Sequence, residues 1–111
     1  MARTIRVLWK NATTGWRNYN WNGLINMHST VHISACEAVH HRDSFDPKFG
    51  ISRVKGAAQI EVKNIRPHPP NPGDDITGGV EFFLVVDWKT PLNVCTDITV
   101  FDVPEDFHVI E

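Results

Sequence analysis

The sequence predicts an all-β protein, an antiparallel β-sandwich of about seven or eight short strands. Three observations carry that prediction. Gly78 to Phe101 is the most apolar stretch, rich in β-branched and aromatic residues, and a polar break at Lys89-Thr90-Pro91 splits it into two strand-length runs. Apolar and polar residues alternate elsewhere with the period of a pleated strand, most regularly over Ala57 to Ile65. Seven Gly and seven Pro in 111 residues supply the turns that short strands need, and no convincing amphipathic helix interrupts them.

The elements follow in order. Thr4 to Lys10 alternates, with Ile5, Val7 and Trp9 on one face, and Asn11 to Gly15 reads as a turn. Trp16 to Asn26 holds four Asn among eleven residues, a type depleted in strands and poor in helices, so it is expected to be a structured loop or an irregular edge. Met27 to Cys36 is the next strand, with Met27, Val31, Ile33 and Ala35 inward; Glu37 to His41 continues it or turns away. Arg42 to Gly50 reads as a loop whose Phe45 and Phe49 tuck back to the core, and Ile51 to Val54 as a short strand. Ala57 to Ile65 points Ala58, Ile60 and Val62 inward. Arg66 to Gly73 carries four Pro in eight residues and is expected to be extended without a regular ladder, and Asp74 to Gly79 completes that loop. Val80 to Trp88 places Val80, Phe82, Leu84, Val86 and Trp88 on one face. Its other face is apolar only at Phe83 and Val85, which need cover from the Pro-rich loop, the C-terminal tail or another subunit. Leu92 to Cys95 and Ile98 to Val103 finish the core, and Phe107 to Ile110 is a last edge strand or a tail. The pattern is similar in kind to immunoglobulin-like sandwiches, with a jelly roll as the alternative. The Cys-Trp-Cys spacing of immunoglobulin domains is missing, because Trp88 precedes Cys95 and no Trp follows Cys36 at short range.

The length fits a single domain, residues 1–111, able to bury roughly two thirds of its unfolded surface. A net charge of −2 with 11 scattered Lys and Arg argues against nucleic acid, whose phosphates need clustered cations. No window approaches the ~20 apolar residues of a membrane span, and no signal-peptide-like run follows Met1-Ala2-Arg3. The expectation is a cytoplasmic protein without membrane contact, with non-classical secretion left open. Two cysteines, Cys36 and Cys95, are too few for a disulfide scaffold and read as free thiols, though pairing in an oxidising compartment stays open.

Four chemistries compete. Among six His, His28 and His32 share a strand face, but four residues put them ~13 Å apart, too far for one zinc ion. A divalent metal would instead need His40, His41 and Asp43, joined by His68 from a distant loop. Asp74-Asp75 offers oxygen ligands for Ca²⁺ in a spacing that matches no EF-hand. Nucleophilic catalysis lacks a Gly-x-Ser-x-Gly elbow; Cys95 sits among apolar neighbours that would raise its pKa, and Cys36 lies beside Glu37. The chain is therefore read as non-catalytic. Aromatic binding is the strongest reading: Trp16, Asn18, Tyr19, Asn20, Trp21 and Asn22 interleave flat rings with amides, which suits a glycan or a protein surface. Trp9 and Trp88 are expected in the core. The expected function is a non-catalytic binding or assembly module, a small metal-binding protein or metal-dependent enzyme being the alternative. A second copy of the chain is a further candidate partner.

Overall fold

The computed structural model describes residues 2–21, 23–41, 50–69 and 78–111. Among them are seven strands and no helix: β1 (Arg3–Ala12), β2 (Gly15–Asn20), β3 (Thr30–His40), β4 (Ile51–Arg53), β5 (Gln59–His68), β6 (Gly79–Asp87) and β7 (Leu92–Phe101). They form two open antiparallel sheets, one in the order β1-β7-β3-β4 and the other β2-β6-β5. The prediction of an all-β chain with antiparallel pairing holds. Among the described residues, no helix is long and apolar enough to cross a membrane.

The core forms where the apolar parities of the two sheets meet. Phe82, Leu84 and Val86 of β6 cluster with Val94 of β7 and Ala12 of β1, while Val80 clusters with Ile98, Val100 and Val31 of the other sheet. Phe82, Leu84 and Ile98 are fully buried, as the alternation along Gly78 to Phe101 requires. Thr96 is a polar member of this interior, and its hydroxyl accepts from Trp9 Nε1 at 2.9 Å, so burial leaves it satisfied.

Several expectations need correction. Of the two alternatives for this stretch, loop or irregular edge, Gly15 to Asn20 takes the edge, and as a regular strand: it pairs with β6 in register from Gly15–Leu84 to Asn20–Gly79 and ends its sheet. The turn expected from Asn11 shrinks, because β1 continues to Ala12 through an irregularity at which Asn11 takes φ 51°. Met27 does not point inward. Residues 26–29 turn, with Ser29 N–H donating to the Asn26 carbonyl, and Met27 is exposed. Trp88 also leaves the core: β6 ends at Asp87, the Trp88 N–H turns back to the Val86 carbonyl, and the ring is 44% exposed beside Lys89. The ladder of β5 continues past Ile65 through Arg66, Pro67 and His68, after a bulge in which Asn64 adopts φ 52°. An edge strand tolerates Pro67 because its missing N–H need not face a neighbour. The loop placed at 42–49, with Phe45 and Phe49, and the Asp74-Asp75 pair lie outside the described residues.

Candidate functional site

Antiparallel register puts three rows of side chains on the outer face of the β2-β6-β5 sheet. Phe83 stands between Trp16 and Lys63, Glu81 between Asn18 and Arg66, and Gly79 between Asn20 and His68. This face is opposite to the one carrying Val80, Phe82 and Leu84, because side chains alternate along β6.

Each row has its own chemistry. Trp16 is 57% exposed and meets Phe83 edge to face, with ring centroids 5.5 Å apart at 78°. Phe83 is thereby partly covered from within the chain. In the next row Arg66 Nη1 donates to Glu81 Oε1 at 2.6 Å. The third row is closed over a glycine: Asn18 Nδ2 donates to Asn20 Oδ1 at 3.0 Å, and His68 Nε2 lies 2.8 Å from Asn18 Oδ1. A Cβ on Gly79 would lie 2.6 Å from Asn20 Oδ1, 2.6 Å from the Tyr19 carbonyl oxygen and 2.9 Å from His68 Nε2. Only a residue without a side chain lets β2 and β5 join hands across β6 here.

The expected binding residues therefore divide by face. Trp16, Asn18 and Asn20 share the outer surface. Tyr19 and Trp21 pack against the interior cluster of Val80 and Ile98, with their rings 6.4 Å apart at 79°. Asn22 lies outside the described residues. Sequence reasoning put Phe83 on the outer face of its strand but did not join it or Glu81 to Trp16 and Asn18, and it missed Arg66 and Gly79. The signal that could have found these neighbours is strand register, which one sequence does not carry.

The metal candidates are not brought to one centre. His40 and His41 sit at the end of β3, with His41 Nε2 2.6 Å from Ser52 Oγ. His68 belongs to the other sheet, and its Nδ1 donates to the Pro69 carbonyl at 2.8 Å while its Nε2 faces Asn18. Asp43 lies outside the described residues. Among those described, no group of three or more His, Cys, Asp or Glu side chains gathers as a metal site would need.

The outer face of the other sheet is occupied by an ion-pair hub. Asp97 on β7 accepts from Arg6 Nε and Nη2 at 2.7 and 2.9 Å, and from Arg53 Nη2. Hydrogen bonding from Arg6 holds the Asp97 carboxyl below its usual range, against the opposing effect of partial burial. Cys95 lies on the same face, directly opposite Cys36, and both are free thiols. Burial first, then the Asp97 charge, pushes the Cys95 thiol up, away from thiolate chemistry. No family model, curated protein or solved structure matches this chain.

Proposed function

We propose that the chain is a non-catalytic binding module built on a β-sandwich, immunoglobulin-like or jelly-roll-like, whose ligand surface is the outer face of β2-β6-β5. The sandwich reading is supported by the shared core, in which Phe82 and Leu84 of one sheet cluster with Val94 of the other. The binding reading rests on Trp16, a large ring standing 57% in solvent on a paired strand and oriented by Phe83. An exposed Trp held on a rigid ladder offers contact area at little ordering cost, which is how interface anchors act. The Arg66–Glu81 pair would form a polar rim, and the mutually bonded Asn18, Asn20 and His68 stiffen the end of the platform. These features favour a protein surface as the ligand. A glycan is the second reading, favoured by the amides of Asn18 and Asn20 beside a flat ring.

The test is paired capture with the full chain and its Trp16→Ala variant, Trp88→Ala serving as a matched surface control. A protein captured by the wild type and by Trp88→Ala, lost with Trp16→Ala, and then bound in purified form supports the proposal. A glycan array screened with the same three chains tests the second reading. Binding that ignores Trp16, or none in either screen, overturns the assignment of this face.

A further inference from the structure

The ten residues after β7 are the least explained part of the molecule. Residues 102–111 are exposed throughout and join neither sheet. Phe107 is 82% exposed, Val109 75% and Ile110 95%. Isolated surface apolar residues are ordinary, but three large ones in four consecutive positions of an arm that forms no strand are not. The arm also carries Asp102, Glu105, Asp106 and Glu111 and no Lys or Arg, so it is acidic as well as apolar.

Among the described residues the two sheets have four edges, and charge distinguishes them. β1 and β4 end one sheet, β2 and β5 the other. β1 carries Arg3, Arg6 and Lys10 without an acid; β2 carries only Arg17, β4 only Arg53, and β5 offsets Lys63 and Arg66 with Glu61. β1 is ten residues long, and its inward Ile5, Val7 and Trp9 are only partly buried where they pack on the core. The core is thus incompletely covered along the most basic of the edges that the described residues form. Glu105 to Glu111 can extend ~23 Å at about 3.3 Å per residue, enough to pair along Arg3 to Trp9. The arm does not lie along β1 of its own chain. Val103 to Phe107 line a concavity with residues 26–29, which lead into β3, on the opposite side of β7 from β1.

We propose that the C-terminal arm, Val103 to Glu111, pairs as an added strand with the β1 edge of a second copy of this chain. Its acidic side chains meet Arg3 and Lys10, and Phe107 and Val109 cover the open flank of Ile5, Val7 and Trp9. Backbone pairing at a free edge supplies attachment, and the side-chain match supplies the choice of edge. The contact lies apart from the Trp16 face, so either can fail alone.

Light scattering on the full chain across a concentration series is the test, with folding of each variant checked by circular dichroism. Three results are expected. The wild type associates; a chain ending at Asp102 is monomeric; and Arg3→Glu with Lys10→Glu weakens association about tenfold or more. Adding Glu105→Lys and Asp106→Lys to that double variant restores association, a rescue that mere misfolding does not give. Trp16→Ala leaves association unchanged. A wild type that stays monomeric at millimolar concentration overturns the proposal. So does association that survives loss of the arm, that ignores the charge reversals, or that depends on Trp16.

Discussion

At Asp97 two arginines share one carboxylate, and the consequences can be measured. Arg6 binds it in two places and Arg53 in a third, tying β1, β7 and the β4 edge together. Both arginines are substantially solvated, so the network is worth about 1 kcal/mol rather than the several a buried pair would suggest. Because the carboxyl is depressed in the folded state, its stabilisation is fully present above the ordinary carboxylate range near 4 and is lost as the pH falls through the folded value. Asp97→Asn is expected to lower the urea midpoint at neutral pH and to flatten its decline on acidification; an unchanged acid limb would refute this. The two thiols give a second residue-scale prediction. Cys95 is 2% exposed with its pKa raised, whereas Cys36 is half-buried and donates to the Val54 carbonyl at 3.4 Å. Iodoacetamide should add once to the folded protein, at Cys36, and twice in denaturant; mass spectrometry of the adducts and their peptides checks both statements.

At the scale of the element, β2 shows how far sequence reasoning reaches. Its parity was readable: Trp16, Asn18 and Asn20 alternate with Arg17 and Tyr19 as they do in the strand. Its strand character was not, because Asn carries a low strand propensity and here pairing overrides it. The amides find partners in each other and in His68, which removes the usual penalty of displaying them on a sheet. That network depends on a register match of Asn20, Gly79 and His68, which lie far apart in the sequence, and no local pattern encodes such a match. The apolar parity of β6 was readable from Val80 to Val86 because burial itself selects it, and it failed at Trp88, where the strand had already ended. Gly79 tests the element as a unit. An added methyl would press on the Tyr19 carbonyl, which belongs to backbone and cannot swing aside. Gly79→Ala should therefore cost about 1–3 kcal/mol, the range of overpacked sites. It should also raise hydrogen exchange at the β2 amides ahead of the rest of the sheet. Uniform exchange would show that the tie across β6 is not what holds β2.

Over the whole molecule, apolar residues serve two opposed ends, and their contrast can be measured in one experiment. Phe82 is fully buried and stacks edge to face with Trp9 at 5.9 Å, joining strands that belong to different sheets. Phe107 is the same side chain almost wholly in water. Removing the Phe82 ring leaves a cavity bounded by both sheets, and Phe→Ala changes at such sites cost about 3–5 kcal/mol, a large share of what a domain of this size holds. Phe82→Ala is expected to lower the denaturant midpoint steeply, with both sheets lost in one transition because each presents half of the same core. Phe107→Ala should leave the midpoint of the dilute protein within about 0.5 kcal/mol of wild type. Any cost it carries should emerge only as concentration rises, since a contact made between copies stabilises by mass action. Two resolved transitions for Phe82→Ala would mean that the sheets fold as separate units. A concentration-independent loss for Phe107→Ala would mean that the arm serves its own chain.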